Sequence, residues 1–108
     1  STLDARKKWI VSSLSSSGKI CIDAGAVVAI SHGKSLLAAG VKKVVGSFSK
    51  GENVLVIDEN NRELARGLSS FSSYEINQIK GKQSSDIEKI LGYPSKSEII
   101  HKDDMVDI

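Results

Sequence analysis

Polar and apolar positions along this chain change period several times, and each change predicts an element. KICID at 19–23 alternates, with Ile20 and Ile22 on one face, and predicts a strand. Asp23 then stands where a carboxylate accepts the first free amides of a helix through AGAVVAISH. Gly33 stands at its end, in the left-handed position that glycine tolerates. SLLAAGVKKVVGSF at 35–48 carries no helical stripe: Gly40 and Gly46 interrupt it, and Val41, Val44 and Val45 favour sheet. It predicts a bent strand broken near residues 38–40, with Gly40 letting a neighbouring backbone or a ligand come close.

NVLVI at 53–57 is apolar on both faces, as a buried central strand is. Residues 58–61, DENN, suit a hairpin turn leading into a return strand, RELARGL at 62–68, with Leu64 and Ala65 directed to the core and Gly67 marking close packing or a bulge. Two capping boxes follow, Ser72 with Glu75 and Ser85 with Glu88, each opening a short helix closed by glycine. Ile76 and Ile79 form the apolar stripe of the first helix, and Ile87, Ile90 and Leu91 that of the second. EIIHKDDMV at 98–106 predicts a last strand. Residues 5–14, ARKKWIVSSL, fit either a short helix or an entering strand, with Trp9 anchoring the segment to the core or to a neighbour. The chain is therefore expected to be mainly β: a small closed or half-closed barrel of short, mostly antiparallel strands with a few short helices.

A length of 108 residues fits one domain, and with 5% aromatic residues its core must be built from Ile, Val, Leu and Ala. No apolar run approaches the roughly 20 residues of a membrane span, so no membrane association is expected. The first residues lack a signal-peptide pattern and an initiator methionine, which reads as a piece of something longer in a cytoplasmic protein. One cysteine, Cys21 between two isoleucines, excludes an intrachain disulfide and reads as a small buried thiol. Charge is uneven. Lys34, Lys42, Lys43 and Lys50 meet no acid between residues 34 and 50, whereas Glu98, Asp103, Asp104 and Asp107 make the C-terminal stretch acidic. A basic face of this kind is either a solvated surface or a meeting place for phosphate backbones.

Catalytic chemistry is not evident. HGKS at 32–35 invites a phosphate-loop reading, but the first glycine of that motif belongs at position 28, which is valine. His32 reads as a favourable residue at a helix C-terminus, and His101 as a hydrogen-bonded structural histidine. Asp103 and Asp104, expected as neighbours on a strand, would point to opposite faces, and no metal-ligand spacing occurs. No hydrolase elbow or dinucleotide fingerprint is present. By residues alone this is a binding or regulatory module, with no catalytic, cofactor or metal residue expected.

Seven segments in order then carry a resemblance. They are LDARKKWI at 3–10, DAGAVVAI at 23–30, GKSLLAAGV at 33–41, VGSFSKGENVLVID at 45–58, ELARGLSSFSSYEI at 63–76, IKGKQSSDIEKILGY at 79–93 and IIHKDDMV at 99–106. Together they resemble the C-terminal PUA domain of the glutamate 5-kinases, over essentially the whole chain. One departure is Ala38, where the family often has proline after SLL. The resemblance implies a PUA-like pseudo-barrel over residues 19–108 and a lead-in from a kinase domain over residues 1–18. It implies a full-length enzyme that phosphorylates L-glutamate with ATP and Mg in the first committed step of proline synthesis, commonly inhibited by proline. Its catalytic residues would lie outside this chain, and its partners would be its own kinase domain and the other subunits of a homo-oligomer. PUA domains elsewhere hold RNA with the first helix and the segment after it, here residues 24–32 and 34–41. The implied RNA or partner surface comprises Lys34, Ser35, Gly40, Lys42 and Lys43, with Arg66 and Lys82 as further candidates. A free-standing RNA-modification protein is the remaining alternative.

Overall fold

The computed structural model describes residues 5, 7–10 and 17–108. Among these, residues 7–10 are helical and are followed by seven short strands and three α-helices. In chain order they are β1 (Gly18–Ile22), α1 (Ala24–Ser31), β2 (Leu36–Leu37), β3 (Val41–Gly46), β4 (Asn53–Ile57) and β5 (Glu63–Leu68). Then come α2 (Ser73–Ile79), α3 (Ile87–Leu91), β6 (Glu98–Ile100) and β7 (Met105–Asp107). One sheet has the order β3-β1-β4-β5-β7, and the pair β2–β6 forms a second. The β1–β4 pairing is parallel, and the other described pairings are antiparallel.

The two sheets close on each other through the chain itself. β3, at one edge of the larger sheet, runs back through a 3₁₀ turn at Ala38–Gly40 into β2. β7, at the other edge, runs back through a 3₁₀ turn at Lys102–Asp104 into β6. β2 and β6 then pair, with Leu36 opposite Ile100. Edge strands invite unwanted pairing, and this routing removes most of that exposure by turning both edges into a seam. The result is the mainly β, barrel-like fold expected from the alternation pattern.

Strand periodicity sorts the side chains. Ile20, Ile22, Val54, Val56 and Ala65 point inward, join Leu36, Ile99, Ile100 and Met105, and are almost wholly buried. α2 and α3 add Ile76, Ile79 and Ile87 to the same core. The opposite face of β4 carries Leu55 and Ile57, which form a smaller buried cluster with Cys21. Both faces of β4 are thus covered, as its unbroken apolar run requires.

Several expectations are corrected. The segment 98–106 is not one strand. It folds as β6, a 3₁₀ turn and β7, which belong to different sheets. The second capping box does not form: a 3₁₀ turn at Ser84–Asp86 leads directly into α3, and no side chain caps that helix. Glu88 accepts instead from the Ser95 amide. Ile90 lies on the exposed side of α3, because a helix of one and a half turns turns only Ile87 and Leu91 to the core. Trp9 does not enter the core either, being 54% exposed, while its neighbour Ile10 is fully buried. The Asn53 side-chain amide donates to the Ile10 carbonyl and ties residues 7–10 to the barrel. Residues 11–14 of the expected N-terminal element lie outside the described residues.

The first capping box forms in full. The Glu75 amide donates to Ser72 Oγ at 3.1 Å, and the Ser72 amide donates to Glu75 Oε1 at 2.8 Å. The Tyr93 hydroxyl donates to the other carboxylate oxygen of Glu75. Slight burial pushes the Glu75 pKa up, but the hydrogen bonds from Tyr93 and Ser72, together with the Lys50 charge, hold it below its ordinary value. The same bond to Glu75, with partial desolvation, raises the Tyr93 phenol.

Candidate binding groove

α1 is short and has no charged residue, so its placement rests on its two ends. At the first, Asp23 adopts an extended backbone and its Oδ1 accepts the Ala26 amide at 2.8 Å. At the second, Gly33 has φ +76°. There the Gly33 amide donates to the Ile30 carbonyl at 2.9 Å and the Lys34 amide to the Ala29 carbonyl at 3.0 Å, a complete Schellman ending. These bonds dispose of a phosphate-loop role on physical grounds. The amides that would cradle an anion at Gly33-Lys34 are already engaged.

Beside α1 runs the 3₁₀ turn between β2 and β3. A Cβ placed on Gly40 would lie 2.6 Å from the Cβ of Ala26, so helix and turn pack with no room for a side chain. The Asp23 amide donates to the Gly40 carbonyl at 2.9 Å and fixes the same approach. The close neighbour that Gly40 admits is therefore α1 itself.

Between α1, the loop after it and this turn lies an open groove of about 700 Å³. Its floor is small and apolar: Gly25, Ala26 and Ala29 from the helix, Leu37, Ala39 and Gly40 from the strand and turn. Asp23 stands at the end of the groove where the helix begins. His32, Lys34 and Ser35 stand at the end where it finishes, and Lys102 joins them. The Lys102 amide donates to Ser35 Oγ at 2.8 Å, which clamps the turn between β6 and β7 against the loop after α1. Lys34 and Lys102 also line an adjoining hollow with Lys7, Asp103 and Asp107.

The residues expected at an RNA or partner surface separate in space. Lys34, Ser35 and Gly40 line the groove. Lys42 and Lys43 lie further along, exposed on β3, where the register with β1 slips at Ile22 and makes Lys42 the extra residue of a bulge. Lys82 is exposed beyond the 3₁₀ turn, next to Gly81, whose amide donates to the Ala38 carbonyl at 2.7 Å. Arg66 is half-buried on β5 opposite Leu55, in a different hollow with Glu63, Val106 and Asp107. Local pattern could not reveal Lys102, because it reaches the groove through a contact 67 residues away. Among the described residues no group of three or more His, Cys, Asp or Glu could hold a metal ion. None of the described helices is long and apolar enough to cross a membrane.

Comparison with known proteins agrees with this architecture. Glutamate 5-kinase of Pelagibacter ubique is 65% identical over 108 residues, which is all of this chain and 29% of that protein. Glutamate 5-kinases of Vibrio vulnificus and Sinorhizobium fredii are 51% and 46% identical over 98% of the chain, covering 28% and 27% of their own lengths. The chain thus spans little more than a quarter of these relatives. Among solved structures, a PUA domain from Aeropyrum pernix K1, crystallised with tartrate, superposes with a TM-score of 0.59 at 21% identity. The match covers 79% of this chain and 41% of that one. An H/ACA RNP bound to a substrate RNA contains a chain that superposes with a TM-score of 0.56 at 20% identity, over 78% of this chain and 22% of that one. The PUA domain family matches residues 18–91, from β1 through α3, and so takes in most of the barrel and the groove except Lys102. With fold, sequence and family match in agreement, this chain belongs to the PUA domain family.

Proposed function

We infer that this chain is the accessory PUA domain of a glutamate 5-kinase. In this reading residues 19–108 form the domain, and residues 1–18 lead in from the kinase domain. The observation that carries it is the full-length match: 65% identity without loss of coverage at either end, to an enzyme more than three times as long. The complete enzyme would transfer a phosphoryl group from ATP, with Mg, to the side-chain carboxylate of L-glutamate, the first step of proline synthesis in the cytoplasm. The domain contributes no reacting group. It works by contact, with its own kinase domain and with other subunits of a homo-oligomer. The exposed Trp9 and the fully buried Ile10 beside it suit a joint in which one side chain holds the barrel and the next meets a neighbour.

The test compares the full-length enzyme with a version lacking these 108 residues. Turnover, subunit number and the response to proline are measured in parallel. A change in at least one is expected, and three unchanged values would remove the accessory role.

A second reading is nucleic-acid binding. It is favoured by the RNA-bound relative in fold and by Lys34 beside an open groove, with Lys42 and Lys43 beyond it. Affinity for RNA would then fall steeply with salt as counterions are released. Absence of binding at low salt ends this reading.

A further inference from the structure

α1 lies at the surface yet has no polar face. Its sequence is AGAVVAIS, and its outward residues include Ala24, Gly25 and Val28, the last 55% exposed. A surface helix ordinarily turns charged or polar side chains to water. Leu37, on the other wall of the groove, is also exposed, at 45%. Val28 lies outside the groove, but Gly25, Ala26 and Ala29 of α1 and Leu37 and Ala39 opposite give it two apolar walls, and the charge along it is polar in the directional sense. Lys34 and Lys102 stand at one end, and the Asp23 carboxylate at the other. The ends are separated by the eight-residue length of α1, about 12 Å at the helical rise.

That arrangement restricts the ligand. A carboxylate finds two lysines, Lys34 and Lys102, lining one end, and an aliphatic body finds Ala26, Ala29, Leu37 and Ala39 along the floor. A second negative charge one helix length away meets Asp23. No Phe, Tyr or Trp lines the groove, and His32, at the lysine end, is the one ring among its lining residues on which a base could stack. Beyond Lys102 the next hollow is of mixed charge, with Asp103 and Asp107 beside Lys7, Lys34 and Lys102.

We propose that this groove is a site for a small aliphatic monocarboxylate, its head group between Lys34 and Lys102 and its chain lying along α1 toward Asp23. The reading stands independently of the kinase assignment, because it uses only the groove's walls and charges. It competes with nucleic-acid binding for the same surface.

The experiment is an NMR titration of the 108-residue chain with octanoate, with suberate as the dicarboxylate of equal length, and with octylamine as the reversed head charge. Octanoate should shift amides of α1, residues 32–37 and Lys102. Suberate should bind roughly tenfold more weakly, as a like-charge contact in partly solvated surroundings dictates. Asp23→Asn, which keeps the helix cap, should bring suberate to within about twofold of octanoate while leaving octanoate unchanged. Lys34→Gln and Lys102→Gln should each weaken octanoate severalfold. Equal affinity for octanoate and octylamine, or a suberate deficit that persists in Asp23→Asn, overturns the proposal. So does a polyuridylate titration that shifts these amides when octanoate does not. A kinase assignment that fails its own deletion test leaves these outcomes unaffected.

Discussion

At the scale of single residues, two side-chain environments make firm predictions. Gly40 is held against Ala26, and an added Cβ at 2.6 Å forces the turn off the helix. Gly40→Ala should therefore cost about 1–3 kcal/mol, the usual range for overpacking. Ala26→Gly alone should cost close to 1 kcal/mol through helix propensity. The double variant should be more stable than the sum of the two predicts, because the second change makes room for the first. Urea midpoints of the three proteins measure this, and strict additivity would show that the contact is not tight. Glu75 supplies the second case. Its folded pKa lies below its ordinary value, so the stability it contributes is present above the ordinary carboxylate range and is lost as pH falls through the lowered value. Tyr93→Phe removes one hydrogen bond and should move the Glu75 titration, read by carboxyl NMR, back upward. Glu75→Gln should flatten the acid limb of the stability profile by the share this carboxylate supplies.

At the scale of elements, the two serine–glutamate pairs look alike in sequence and behave differently. Ser72 and Glu75 exchange both hydrogen bonds of a capping box, whereas Ser85 and Glu88 exchange none. Ser72→Ala should accordingly cost about 1 kcal/mol, and Ser85→Ala should stay within about 0.5 kcal/mol. Thermal midpoints distinguish the two; equal losses would mean that the second box forms in solution. This contrast also shows where sequence reading works and where it stops. Asp23, Gly33 and the Ser72–Glu75 pair were legible because each cap is complete within a few residues of chain. Ser85 was misread because its capping place is taken by a 3₁₀ turn, whose presence depends on how the segment between α2 and α3 meets β6. The Ser84 hydroxyl donates to the Ser97 carbonyl, a contact no local pattern announces. The split of 98–106 into β6 and β7 has the same origin: its apolar positions fit one strand, but the larger sheet ends where the smaller begins. In the groove, Lys34 and Ser35 were visible from the segment after α1, while Lys102 arrives only with barrel closure.

At the scale of the whole molecule, closure depends on the β2–β6 pair, and Ile100 joins that pair to the larger sheet. It is fully buried and pairs with Leu36. Its Cγ2 would lie 2.7 Å from a Cβ on Gly67, so the smaller sheet rests directly on β5 of the larger one. Neither sheet can then open while the other keeps its packing. Ile100→Ala should cost about 2–5 kcal/mol, as for other large-to-small changes in a dry core. The loss should fall on both sheets together. Native-state hydrogen exchange supplies the measurement, because it reports opening free energies amide by amide. Amides of β4, which lies in the other sheet and pairs with β5 where Ile100 rests, should lose as much protection as those of β6. If only β2 and β6 lose protection while β4 keeps its original value, the seam is a separable flap. The groove would then rest on the larger sheet and α1 alone, and Lys102 would reach Ser35 only part of the time.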